Sequence, residues 1–339
     1  MSGHDIIVLG ASSGGVDTFM EIVAELPRDI PAAIFAVLHV SPLGTTTFPQ
    51  ILTRAGRLPA AHALDKEPIR LGRIYVAPPD LHLLLRPGTI RLVRGPKENN
   101  ARPAVDATFR TAARAYGPRV VGVVLSGALD DGTAGLAAIK ERGGITVVQD
   151  PDDALFPDMP RNAMEAVKVD YCLPTREIAP LLVRLALAPV KEEAAPAVPE
   201  EMQKESELEA VDMSTIEDEE KPGTSSVFGC PECGGVLWEL QEGELLRFRC
   251  RVGHAYGAEG LLAAQSESFD VALWSAFRAL EENAALCRRL AKQARKNQRT
   301  KSAKLFEGRA KAATRQADAI RQVLLTEKND NPKDTAKER

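Results

Sequence analysis

Two sets of residues in this 339-residue chain have the types and spacing that chemistry requires. The first opens the sequence, where the apolar run Ile6-Ile7-Val8-Leu9 stops at Gly10-Ala11-Ser12-Ser13-Gly14-Gly15 and a helical pattern begins. Strand, sharp turn and helix with the spacing Gly-x-Ser-x-Gly make a nucleophile elbow. Ser12 stands at its tip, and the Ser13 amide points from a helix N-terminus toward a developing oxyanion. The alternative for such a turn is a phosphate cradle, but Ser12 fills the place of the second glycine in the dinucleotide fingerprint. His39 follows the apolar run Ala33–Leu38, and Asp131 lies in the loop Ser126–Gly135 after the run Val120–Leu125. Alone, His39 would cap a strand and Asp131 a helix. Together they offer a hydroxyl to attack, an imidazole to take its proton and a carboxylate to orient the imidazole. All three would lie past the carboxyl ends of parallel strands, the edge where open α/β sheets form sites.

The second set is Cys230-Pro231-Glu232-Cys233 followed by Cys250-Arg251-Val252-Gly253-His254. Three thiolates and an imidazole make a closed tetrahedral zinc site, and the runs between the two knuckles, Val236–Leu240 and Leu245–Arg249, alternate like a hairpin. Four protein ligands leave no open position, so the expected role is structural: a zinc ribbon over 227–257. Cys172 and Cys287 have no such partners and are expected to be buried small apolar residues.

The elements that must position these groups follow from hydrophobic periodicity. Short apolar runs alternate with helical patterns up to about residue 187, which reads as an α/β fold with a doubly wound, mostly parallel sheet. The expected strands are Ile6–Leu9, Ala33–Leu38, Arg73–Ala77, Val120–Leu125, Ile145–Gln149 and Val169–Leu173, with helices starting near Gly15, Thr46, Asp106, Asp131, Pro160 and Thr175. Leu81–Val93 reads as a β-hairpin around Pro87-Gly88, inserted at one sheet edge. No cofactor is expected for catalysis.

Several motifs in order carry a family resemblance: Ile7-Val8-Leu9-Gly10-Ala11-Ser12-Ser13-Gly14-Gly15, Leu38-His39, Arg102-Pro103-Ala104-Val105-Asp106, Leu125-Ser126-Gly127 with Asp131-Gly132-Thr133-Ala134-Gly135, and Met159-Pro160-Arg161-Asn162-Ala163. The chain from residue 5 to 185 resembles the catalytic domain of the chemotaxis protein-glutamate methylesterases, CheB. The resemblance implies a serine esterase over 1–187 that demethylates glutamyl methyl esters on chemoreceptors and, in some members, deamidates receptor glutamines. It makes Ser12 the nucleophile, His39 the base and Asp131 the orienting acid, with Ser13 beside the nucleophile. Ala128 takes the place of a methionine whose backbone amide serves the oxyanion hole. Leu129 and Asp130 stand where glycine and asparagine are expected, and Asp158 where glycine is. Family members begin with a phosphoacceptor receiver domain. Only eleven residues precede Ser12, so a phosphorylation switch in cis is not expected.

The net charge of −4 conceals an asymmetry. Twelve acids against three lysines fall between Lys191 and Lys221, and twelve basic residues against Glu307 and Asp318 between Arg288 and Arg321. Residues 188–226 read as a flexible, acidic, extended linker. Residues 258–326 read as an antiparallel helical hairpin with stripes from Leu273 to Ala294 and from Ala303 to Leu324, and 327–339 as a disordered tail. The hairpin carries no recognised nucleic-acid-reading motif and is expected to dock a protein, such as a methyltransferase or a regulator, or to be solvated. No run of 18 apolar residues and no signal peptide occur, and cysteines spaced as metal ligands suit a reducing compartment, so a cytoplasmic location without membrane insertion is expected. The rival reading of the whole chain is a catalytically silent scaffold that binds signalling proteins through the ribbon and the helical hairpin.

Overall fold

The computed structural model describes residues 3–42, 46–190, 196–209, 223–242 and 245–330. In chain order the elements are β1 (Ile6–Ala11), α1 (Gly15–Glu25), β2 (Ala33–Leu38), α2 (Phe48–Ala55), β3 (Ala60–His62), β4 (Arg73–Val76), β5 (His82–Arg86), β6 (Thr89–Val93), α3 (Val105–Tyr116), β7 (Val120–Val124), α4 (Thr133–Glu141), β8 (Ile145–Gln149), α5 (Asp158–Ala166), β9 (Tyr171–Leu173), α6 (Thr175–Leu187) and α7 (Glu200–Glu209). Next come β10 (Thr224–Gly229), β11 (Val236–Glu242), β12 (Leu245–Cys250), β13 (Ala255–Gly257), α8 (Ala258–Lys296) and α9 (Thr300–Asp330).

Seven strands form one parallel sheet in the order β3-β4-β2-β1-β7-β8-β9. The central β1 and β2 are buried along their whole length, as strands covered on both faces must be. Alternate side chains of β1 enter opposite cores. Ile7 and Leu9 pack with Phe19 and Ile22 of α1 and Leu182 of α6, while Ile6 and Val8 pack with Phe109 of α3, Leu136 of α4 and Met159 of α5. Each such fully buried side chain contributes about 1.5–3 kcal/mol. The strand order reverses around β1, so the crevice past the carboxyl ends of β1, β2 and β7 is the switch point of the fold.

Three expectations need correction. The hairpin β5–β6 is not an edge of the parallel sheet; it is a separate two-stranded sheet lying on α3, where Thr108 donates to the Leu83 carbonyl and the Leu85 amide donates to Thr111. The segment read as an extended linker includes the helix α7, whose Glu205 is buried against arginines, while 191–195 and 210–222 lie outside the described residues. Cys172 is exposed, because β9 is the sheet's edge strand; Cys287 is buried. The strand β3 was not foreseen, its Ala-Ala-His sequence being too short to show a period.

Residues 3–262 belong to one compact unit, which holds both the parallel sheet and the antiparallel sheet β10-β11-β12-β13. The second unit, from Ala263, contains most of α8 and all of α9. Within it Arg295 pairs with Glu307 and Arg288 reaches Thr314, the contacts of an antiparallel helical pair. Ala284, Cys287, Ala291 and Ala294 are buried with Ala303, Ala310, Ala313 and Ala317, as the periodic stripes predict. The helix α9 continues to Asp330, past the expected start of the tail, and 331–339 lie outside the described residues. Among the described residues no helix is long and apolar enough to cross a membrane.

Candidate active site

The register of the central strands brings the first set of residues together. Ala11 lies opposite Leu38 in the β1–β2 ladder, and the His39 amide extends that ladder by donating to the Ala11 carbonyl at 3.2 Å. Ser12 and His39, 27 positions apart in sequence, therefore leave adjacent strands side by side. Gly14, with φ of +74°, supplies the left-handed turn that ends the elbow and starts α1. Gly127 leaves the other flank bare, since a Cβ there would lie 2.9 Å from that of Ser12 and 2.0 Å from the Met159 sulfur.

His39 bridges the other two members. Its Nδ1 lies 3.1 Å from Ser12 Oγ and its Nε2 lies 2.7 Å from Asp131 Oδ2. Asp131 accepts only, so Nε2 carries the proton and Nδ1 offers its lone pair to the serine hydroxyl. The ring is thus turned end for end relative to the serine-protease triad, where the nucleophile faces Nε2. The imidazole keeps one edge in solvent, whereas the Asp131 side chain is only 2% exposed.

Asp131 is not the cap of the helix that follows it. Its carboxylate accepts from the first two amides of α3, Val105 N–H at 2.7 Å and Asp106 N–H at 3.1 Å, and from Asn99 Nδ2 at 3.1 Å. Asp106 returns the favour to α4, accepting from the amides of Gly132 at 3.0 Å and Gly135 at 2.6 Å. Each aspartate thus caps the other's helix, Asp131 from the loop before α4 and Asp106 from the first turn of α3. Burial works to raise the Asp131 carboxyl, but the bond and charge of His39 together with the Val105 and Asn99 donors outweigh it and hold it at about 2. Burial, and then the charge of Asp131, push Asp106 well up. Neighbouring Asp130 is also pushed up, to about 6, by burial and by the charges of Asp131 and Glu259.

Sequence reasoning missed Asn99, Asp106 and Ser126. Asn99 left a faint signal, an Asn-Asn pair in a loop, and both residues adopt positive φ of +47° and +61°. Ser126 ties three loops, donating to the Ser13 carbonyl at 2.9 Å and accepting from the Phe156 amide at 3.0 Å. Among the described residues, neither the Ser13 amide nor the Ala128 amide donates a hydrogen bond to the protein.

The second set also converges. One donor atom from each of Cys230, Cys233, Cys250 and His254 lies within 4.8 Å of all the others. The separations are 3.7 Å from Cys233 Sγ to Cys250 Sγ, 3.7 Å from Cys230 Sγ to His254 Nδ1 and 3.5 Å from Cys250 Sγ to His254 Nδ1. Tetrahedral zinc at its usual bond lengths requires about 3.8 Å between sulfurs and about 3.6 Å from sulfur to nitrogen. The donor set therefore fits such an ion. Burial and the adjacent Cys230 sulfur push the Cys250 thiol up to about 12.

Comparison with known proteins identifies relatives of the chain. The family model for CheB methylesterase matches residues 7–182. A Leptospira interrogans protein named for protein-glutamate methylesterase and protein-glutamine glutaminase activities is 39% identical over 54% of this chain and 95% of its own length. The protein-glutamate methylesterase/protein-glutamine glutaminase of Pyrococcus abyssi is 36% identical over 52% of this chain, and the chain spans half of that relative's length. The crystal structure of the Thermotoga maritima CheB methylesterase catalytic domain matches at a TM-score of 0.52 and 34% identity, covering 55% of this chain and all of that one. On these grounds the chain belongs to the CheB methylesterase family.

Proposed function

We propose that Ser12, His39 and Asp131 hydrolyse glutamyl methyl esters on a chemoreceptor or another methylated signalling protein, the activity for which the relatives are named. The observation that carries this reading is the continuous chain from Ser12 Oγ through His39 to a buried, anionic Asp131. His39 Nδ1 takes the hydroxyl proton as Ser12 Oγ bonds to the ester carbon. The oxyanion is held by the unengaged amides of Ser13 and Ala128. The carbon–oxygen bond to the methoxy group then breaks, and His39 returns its proton to release methanol. Water attacks the acyl-enzyme by the same route and frees the glutamate. A glutamine side chain passes through the same steps with ammonia as leaving group.

The mouth of the site suits a macromolecular substrate. Ser13 is exposed, and Leu155 and Phe156, 70% and 41% exposed, stand against the Gly14 turn as an apolar rim. Cys230, Cys233, Cys250 and His254 would hold zinc as a structural ion that ties β10–β13 together, a zinc ribbon with no part in the proton transfers. The basic helices α8 and α9 offer a surface for a protein partner. The scaffold alternative finds no support in a site whose nucleophile, base and acid are all within hydrogen-bonding distance.

The test is methanol release from a peptide bearing a glutamate γ-methyl ester. Wild type should release methanol and Ser12→Ala should not, with zinc content and melting temperature unchanged. Equal release by both would end the reading.

A further inference from the structure

Asn99 sits where the antiparallel sheet meets the site. The strand β13 begins immediately after the metal-ligand position His254 and lies along Lys97–Asn99: the Asn99 amide donates to the Ala255 carbonyl at 2.8 Å, and the Ala255 amide to the Lys97 carbonyl at 3.2 Å. The Asn99 side chain completes the join. Its Oδ1 accepts from the Gly257 amide at 2.7 Å, while its Nδ2 donates to Asp131 at 3.1 Å and to Asp106 at 2.9 Å. The partners fix which end is oxygen, since two carboxylates require a donor and a backbone amide requires an acceptor. The side chain is buried, so no water replaces a lost contact. Its left-handed backbone, at φ of +47°, is one that asparagine tolerates better than most residues.

We propose that Asn99 is a positioning residue for Asp131 whose orientation is set by β13, so that an intact Cys230–Cys233–Cys250–His254 site holds the triad acid in register. This rests on the triad reading above. With β13 in place the amide has one rotamer that satisfies every partner. With β13 displaced, Oδ1 loses the Gly257 donor, and the amide is free to turn away from Asp131. Asp131 then loses one of its four N–H donors and becomes a stronger base toward the His39 imidazolium. The titratable groups facing Asp131 are His39 at the end of β2, Asp106 on α3, His82 on β5 and Asp130 on its own loop. Of these, Asp106 shares the Asn99 amide and responds to the same change.

The experiment uses the full chain and a peptide carrying a glutamate γ-methyl ester, with a phosphonate probe reporting Ser12 directly. Asn99→Gly keeps the backbone conformation and removes all three side-chain bonds, while Asn99→Asp keeps an acceptor for Gly257 and puts a third carboxyl in place of the amide that donates to Asp131 and Asp106. Each is expected to lower kcat about tenfold or more with KM little changed, as loss of a buried orienting partner does. The acid limb of both hydrolysis and probe labelling should move to higher pH. Removing the metal from wild type, checked by elemental analysis, should reproduce that displacement. In Asn99→Gly it should add little, since the two changes break one connection. A fall in melting temperature with no change in kcat or in the acid limb would make Asn99 merely structural. Equal, additive effects of metal removal in wild type and Asn99→Gly would separate the antiparallel sheet from the triad. Absence of Ser12-dependent labelling in metal-loaded wild type would instead sink the triad reading itself.

Discussion

Two buried polar clusters lie back to back in the first unit, and consecutive residues belong to opposite ones. Asn99 faces Asp131 and Asp106, which have one imidazole and several neutral N–H donors for company. Glu98 faces the other way, into a set where two carboxylates meet three guanidiniums. Arg110 and Arg249 lie 3.0 Å and 2.6 Å from Glu98, and Arg110, Arg247 and Arg249 lie 3.2, 2.9 and 3.0 Å from Glu205 of α7. Burial is the same in both, with these side chains at most 4% exposed in the arginine set and Asp131 at 2%. Burial raises both glutamates, but the arginine charges outweigh it and hold them low. In the first cluster no guanidinium is close enough to do this for Asp106, which is pushed up. A buried carboxylate among cations locks α7, α3 and β12 together. A carboxylate given only neutral donors and one imidazole keeps its charge for the ring.

That contrast is open to breaking at either end. The largest effect is expected at the triad: Asp131→Asn should lower kcat about 10⁴-fold, because the imidazole loses the acceptor that fixes its tautomer. A kcat within tenfold of wild type would give Asp131 the same structural job as Glu205. Conversely, Glu205→Ala leaves three buried guanidiniums short of a partner and should cost about 3–5 kcal/mol of stability in urea denaturation. Ser12 labelling of its folded form at 25 °C should stay within about twofold of wild type, since α7 does not touch the triad.

A smaller effect separates the adjacent aspartates by pH. The Asp130 carboxyl is raised to about 6, so its protonated form favours the folded state. That contribution is complete below about pH 4 and is lost as pH rises through 6. Asp130→Asn should therefore match wild type near pH 4 and exceed it by roughly 2 kcal/mol at pH 7. Asp131, held at about 2, has the opposite sign: its contribution is present above about pH 4 and is lost as pH falls through 2. Melting curves across pH 3–8 would distinguish the two. The smallest effect belongs to the half-exposed pair Lys97–Glu232, where Glu232→Ala should change stability by less than about 1 kcal/mol.

What the sequence disclosed follows the range of the forces involved. Ser12, His39 and Asp131 were legible as neighbours because each lies at or in the turn or loop that follows an apolar run, and a parallel sheet collects such positions at one edge. The convergence of Cys230, Cys233, Cys250 and His254, which could hold a metal ion, was legible from local spacing alone. The orientation of the His39 ring was not, because it depends on the β1–β2 register and on where the α3 amides and Asn99 hold the Asp131 carboxylate. Glu205 was read as part of a solvated acidic stretch, since its partners Arg110 and Arg249 are far away in the chain and only packing reveals them. The hairpin β5–β6 was placed at a sheet edge for a related reason: alternation marks strands but not the layer that receives them. Asn99 carried almost no sequence signal, because its work lies in three hydrogen bonds to residues up to 158 positions distant.

The central claim is that Ser12 is a nucleophile activated through His39 by an anionic Asp131. Its most direct measurement is peptide-resolved mass spectrometry of the full-length protein after reaction with a phosphonate serine probe. The adduct should map to the peptide containing Ser12, disappear in Ser12→Ala, and form far more slowly in Asp131→Asn. An adduct on any other residue, or ester hydrolysis that persists in Ser12→Ala, would contradict the account.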